Sequence, residues 1–218
     1  MKVGARYNYF MVSPDGPYQS VEALQAGEDL KICGGSPSGP VSLGGLTIIK
    51  LLDLDATIVT GFIGESNRAL ALKRGEISGY VIGVEVASVS IDSGLAEPMF
   101  VLATERDWLR PEVPAITDLA SIVEEDLALI ELWETALLSS DIITAPPGIP
   151  EDRLEFLCSL ADTWIQDTEF REDINAAAGY QIQTYVTGDA VTEAMLVLAT
   201  TLDDFRALFT DLTAKYRA

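Results

Sequence analysis

The sequence predicts an α/β fold of the layered kind, assembled from parallel βαβ units. Two observations predict it. Short β-branched or aromatic stretches alternate with helical ones, and the turns that join them are made of small residues. A third is content: 48% of the 218 residues are hydrophobic, enough to bury a sizeable core and to exclude disorder.

Taken in order, the aromatic-rich stretch Arg6 to Val12 reads as a strand, and Ser13-Pro14-Asp15-Gly16-Pro17 as a turn. Tyr18 to Leu24 starts a short helix, with Ser20 placed as its N-cap. Leu30 to Cys33 is the next strand, and Val41 to Leu52 a mostly apolar helix. Ala56 to Thr60 is β-branched and reads as a buried strand. It breaks at Gly61-Phe62-Ile63-Gly64, and a helix from Glu65 to Arg74 ends at Gly75. Glu76 to Ile82 and Pro98 to Thr104 are strands, with a β-branched helix from Val84 to Ser93 between them.

Arg110-Pro111-Glu112-Val113-Pro114 is an irregular connector, and Thr117 to Leu138 reads as one helix with a solvated acidic face. Asp141 to Ala145 is a short strand closed by Pro146-Pro147-Gly148-Ile149-Pro150. Helices follow at Glu151 to Gln166 and Thr168 to Ala178, then a strand at Ile182 to Val186 and a last helix from Ala190 to about Lys215.

Composition excludes several functions. With 14 basic and 34 acidic residues the net charge is −20, which opposes nucleic acid and anionic lipid as partners. The absence of histidine removes Ser-His-Asp and Cys-His catalysis and His-based metal sites. Cys33 and Cys158 lie far apart in apolar settings and read as buried free thiols rather than a disulfide or metal pair. No apolar run is long enough to span a membrane, and MKVGARYNYF has no apolar signal core. No cofactor, metal or catalytic residue is expected.

The stretch Ile32 to Leu46 carries the most chemistry. A strand passes to a helix through Gly, Ser and Pro, which leaves backbone N–H groups unpaired at the positive end of the helix dipole. A capped helix start without a ligand fits the same string; so does an anion site to which Ser36, Ser38 and Ser42 add hydroxyls. In an open α/β sheet, ligands sit beyond the carboxyl ends of the strands. The turns at Gly34–Pro40 and Gly61–Glu65 both follow strands, so both are expected on that edge. Arg68 and Arg74, on the helix after the second turn, are expected to be solvated.

Four strings in one order resemble a known family. GFIGESNRALALKRGEISG (61–79) is similar to the glycine-turn, helix and Gly-Glu-Val-Asp block of the substrate-binding proteins of tripartite tricarboxylate transporters. TERDWLRPEVPAITDL (104–119) resembles that family's arginine followed by Val-Pro-Thr. APPGIPEDRLEFLCSLADTWIQDTEF (145–170) resembles its Pro-Pro-Gly-Val-Pro motif, the helix behind it and the Asp-Pro-Glu-Phe turn. GGSPSGP (34–40) resembles its Gly-Ser-rich loop.

The resemblance implies a type II periplasmic-binding-protein-like fold with a three-layer α/β/α lobe and a mixed, mostly parallel sheet. Residues 13–138 would form the complete ligand-binding lobe. Residues 1–12 and 139–218 would be the crossover strand and return segment of an incomplete first lobe, whose N-terminal part and signal peptide have no counterpart here. It further implies a periplasmic or extracytoplasmic receptor that binds a small di- or tricarboxylate and docks on the membrane subunits of a transporter. An incomplete lobe also suggests self-association.

The ligand-binding residues implied are Ser36, Pro37, Ser38 and Gly39 at one helix start, and Gly61, Phe62, Gly64, Glu65 and Ser66 at the other. Ser78 stands where the family has the aspartate of Gly-Glu-Val-Asp, which removes a carboxylate from that position. Two other classes fit the same residues: a sensing or interaction module on this fold, and a hydrolase working without histidine.

Overall fold

Residue alternation along five short strands builds a sheet with a separate core on each face. The computed structural model describes residues 1–4, 7–36, 39–182 and 184–216. A two-residue strand β1 (Lys2–Val3) is followed by β2 (Asn8–Val12), helix α1 (Val21–Gln25), β3 (Leu30–Cys33) and α2 (Pro40–Leu51). Then come β4 (Ala56–Val59), α3 (Glu65–Lys73), β5 (Gly79–Gly83), α4 (Val84–Asp92) and β6 (Glu97–Val101). The larger sheet has the order β4-β3-β5-β2-β6, with β3 parallel to β4 and β5 and only β2 running against its neighbours.

Because side chains alternate across a strand, Phe10, Val12, Ile32, Ile58 and Val81 enter one core. Tyr9, Met11, Cys33, Tyr80 and Ile82 enter the other. The first core is closed by α2, by α5 (Glu124–Leu138) and by the end of the long last helix α8 (Gly188–Tyr216), through Trp133, Leu137, Phe209 and Leu212. The second is closed by α3 and α4, through Ala71, Leu72, Val84 and Ala87. The result is the expected three-layer α/β/α arrangement. Phe10 and Phe100 stack across β2 and β6 at 5.3 Å between centroids, a pair worth about 1 kcal/mol beyond its buried area.

Several elements differ from expectation. Strand Asn8–Val12 lies inside the five-stranded sheet, paired with β5 and β6, and the C-terminal half of α8 packs on the first core. Arg6, expected to start that strand, lies outside the described residues. Thr117 to Leu138 is not one helix: a 3-10 turn (Ile116–Asp118) and a short connection precede α5. Two carboxylates make the break. Asp118 Oδ2 accepts from Ala115 N at 3.0 Å and Asp126 Oδ2 from Val123 N at 3.1 Å, so each starts its own helical turn.

Asp141 to Ala145 is not a strand. Asp141 has φ 51°, and the segment makes a single antiparallel bridge between Ile142 and Lys2 beside the small β1–β7 pair. There β7 is only Tyr185–Val186.

The two helices that follow residue 150 are loosely packed. Neither α6 (Glu151–Trp164) nor α7 (Thr168–Ala178) contains a buried residue. Phe156 is 63% exposed on α6 and Leu196 65% exposed on α8. Cys158, expected to be buried, is exposed because the apolar side of α6 faces a shallow groove instead of a core; Cys33 is buried. Among the described residues no helix is long and apolar enough to cross a membrane.

Candidate functional site

The carboxyl ends of β3 and β4 are neighbours, so the loops that follow them leave the sheet side by side. Gly34 N donates to Val59 O at 2.8 Å, which holds the start of one loop against the end of the other strand. The first loop turns through a bond from Gly39 N to Ser36 O at 3.0 Å, and α2 starts with Pro40. Gly39 is the N-cap and has no side chain to cap with, so the first-turn N–H groups of Val41 and Ser42 find no partner within the helix. Ser42, fully buried, donates from its hydroxyl to Ser36 O at 2.6 Å and so pins the loop to the helix. Gly34 makes room for this: a Cβ there would lie 2.3 Å from Ser42 Oγ.

The second loop is built on left-handed glycines. Gly61 has φ 109° and Gly64, the N-cap of α3, has φ 81°, and neither has an atom within 4 Å of where a Cβ would stand. The backbone here is open to a ligand. Gly64 and Ser66 are exposed, while Phe62 is half-buried against the second core. Ser36, Gly39, Gly61, Phe62, Gly64, Glu65 and Ser66 therefore share the carboxyl edge of the sheet, on two adjacent helix starts. Pro37 and Ser38 lie outside the described residues.

Ser78 does not join them. It precedes β5, at the opposite edge of the sheet, where it exchanges bonds with Lys31: Ser78 N to Lys31 O at 2.8 Å and Lys31 N to Ser78 Oγ at 3.1 Å. Those bonds extend the β3–β5 pairing, so Ser78 acts as a sheet terminus.

Two side chains of α3 reach inward rather than into water. Glu65 Oε1 accepts from the hydroxyl of Tyr80 at 2.6 Å and from that of Ser90, joining α3 to β5 and α4. Its Oε2 is buried with no hydrogen-bond partner. Arg68, expected to be solvated, is half-buried, and its Nη2 lies 3.7 Å from where a Cβ on Gly35 would stand. Arg68 Nε is likewise buried and unpartnered. Both charges act on the same two neighbours. Burial pushes the Cys33 thiol up to about 11 against the pull of Arg68, and burial with the Glu65 carboxylate beside it raises the Tyr80 phenol. Sequence reasoning missed Arg68, Tyr80 and Ser90. The signal available was the spacing of Glu65 and Arg68, which puts both on one helical face.

A cavity of about 900 Å³ lies elsewhere, between α4, the 107–112 loop and the end of α7. Glu85, Asp92, Asp107, Glu112 and Glu172 line it against a single Arg110, a charge balance that repels an anion. Among the described residues no group of three or more His, Cys, Asp or Glu side chains could hold a metal ion.

No family model and no curated protein matches the chain. Solved structures do. Rpa4515 of R. palustris with adipate superposes with a TM-score of 0.64 at 13% identity, covering 97% of this chain and 67% of that one. A TctC solute binding protein from Polaromonas gives 0.62 at 15%, covering 99% and 66%. The periplasmic binding protein BugD gives 0.55 at 13%, covering 97% and 68%. At such identities the likeness is one of fold. The chain has the α/β fold of the TctC- and Bug-type periplasmic solute-binding proteins, over about two thirds of their length.

Proposed function

We propose that the chain is the larger part of an extracytoplasmic solute-binding protein of the tripartite tricarboxylate transporter type, and that it binds a small organic carboxylate at the loops of residues 34–40 and 61–66. One observation carries this reading. Two adjacent strands deliver two helix starts, α2 and α3, whose caps are glycines without side-chain bonds, and the guanidinium of Arg68 lies against the first loop. Unpaired N–H groups at helix starts suit an anion, and a half-buried cation beside them strengthens the attraction where the net charge of −20 opposes it. The fold shared with a protein solved with adipate supports the ligand class.

On this reading residues 13–138, with strand Asn8–Val12, form the binding lobe, and residues 139–218 mostly serve a second lobe. Its apolar helix faces are the expected site of self-association. Closure on the anion presents a surface to the membrane subunits of the transporter, and the protein works without enzymatic turnover. Isothermal titration with succinate, adipate, citrate and related di- and tricarboxylates tests it. Saturable binding by at least one acid is expected; no heat from a protein shown to be folded by circular dichroism refutes it.

A further inference from the structure

We propose that the shallow groove along α6 docks a basic amphipathic helix of another polypeptide. Ile143, Leu154, Leu157, Ala161 and Trp164 give it apolar walls, and the start of α8 at Gly188 and Asp189 lines it too. The cavity measures about 160 Å³. Pockets for small ligands begin at about 300 Å³, so this one suits an anchoring side chain rather than a whole metabolite. Leu154, Leu157, Cys158 and Ala161 recur at three- and four-residue spacing, so the apolar stripe runs along the helix axis. Such a stripe normally faces another element, yet α6 contains no buried residue. A second helix with the same spacing is the shape that fills it.

Charge decides which helix. Asp162 and Asp189 line the groove, and neither Lys nor Arg does. Glu151, Glu155 and Asp162 are four and seven positions apart, which sets the three carboxylates on one flank of the stripe. Among the described residues none of these four acids forms an ion pair. Arg153, the one cation of α6, stands on the opposite flank. The Met1 ammonium, beside the groove, donates to Ile143 O at 3.3 Å. A second copy of this chain would bring the same acidic flank and its own charge of −20. An apolar stripe edged with lysine or arginine satisfies both the floor and the flank. Phe156 and Leu196 lie outside the lining, so self-association through them uses other residues. The docking is independent of carboxylate binding at the glycine loops.

The probe is a fluorescent synthetic helix of about 18 residues, leucine at the stripe positions and lysine elsewhere, long enough to be helical. One control has glutamate for lysine, and the other has the leucines scrambled. Anisotropy titrations are expected to show the basic helix binding about tenfold or more tighter than either control. Bound helix should slow maleimide labelling of Cys158, which is exposed in the groove. Leu154 and Leu157 are 40% and 43% exposed, so Leu154→Gln with Leu157→Gln keeps the fold and the net charge. That pair should weaken binding about tenfold. Glu155→Gln with Asp162→Asn should weaken it about threefold or more and flatten its salt dependence, while Glu124→Gln with Glu125→Gln on α5 leaves it within about twofold. Equal binding of the scrambled helix, unprotected Cys158, or an unchanged affinity in the folded leucine pair reduces the binding to net charge and overturns the proposal. So does a dimer in sedimentation that the leucine pair dissociates, because the groove then holds a second copy.

Discussion

Gly34→Ala tests whether the first loop is held by the contact described. The new Cβ would stand 2.3 Å from Ser42 Oγ, 2.9 Å from Ile58 Cγ2 and 3.2 Å from Ser42 Cβ. The hydroxyl cannot stay there, so its 2.6 Å bond to Ser36 O is lost in a buried setting. Overpacking of this kind costs about 1–3 kcal/mol. The lost bond costs about 1–2 kcal/mol more. Removing a glycine from the unfolded chain returns about 0.4–1 kcal/mol. The net destabilisation centres on about 3 kcal/mol, a fall in melting temperature of about 6–12 °C for a chain of this size. Urea unfolding followed by tryptophan fluorescence measures it. Ser42→Ala removes the same bond without the clash, so the double variant is expected to cost about 1–2 kcal/mol less than the sum of the two. Strict additivity, or a Gly34→Ala protein within about 0.5 kcal/mol of the parent, refutes the account of the loop.

Three further outcomes follow from burial and exposure. At pH 8 a thiol reagent should label Cys158 at once and Cys33 only on unfolding; simultaneous labelling would contradict the packing of β3. Cys33 is held at about 11 against an ordinary 9.0, so its share of stability is full below pH 9 and lost as the pH rises through 11. Urea midpoints between those values should fall less steeply in Cys33→Ala. Phe156→Ser with Leu196→Lys should lower binding of a hydrophobic dye and leave stability within about 0.5 kcal/mol. A loss of more than about 1.5 kcal/mol would mean that these side chains are packed against something.

The lobe was legible wherever periodicity and burial coincide. The strand Ala56–Val59 read directly because Thr57, Ile58 and Val59 are β-branched, and Leu30–Cys33 because Leu30, Ile32 and Cys33 are apolar; Ser20 caps α1 as its position suggests, accepting from Ala23 N at 3.2 Å. Ser78 owed its place to the match with the Gly-Glu-Val-Asp block, and such a match carries no information about sheet edge; the direction of β5 decides that, and only pairing fixes it. Arg68 misled for a related reason. Its own helix offers it to water, and the missing side chain of Gly35, more than thirty positions away, draws it in. The acidic run after residue 117 conceals a break because aspartates that cap a helix and those that merely face solvent look alike in a string.

The one strand that runs against its neighbours has a consequence for how the chain comes off the ribosome. Asn8–Val12 is made before the other four strands of its sheet, yet it lies between β5 and β6, with Phe10 paired to Val81 on one side and Phe100 on the other. The parallel set β3, β4 and β5 can assemble as each strand appears, because those three adjoin one another. That strand has to wait with both edges bare until residue 83 has emerged, and with one edge bare until residue 101. Sheet closure is thus a late, long-range step in synthesis. A pause introduced before residue 79 would leave an apolar aromatic strand unsheltered for the length of the delay.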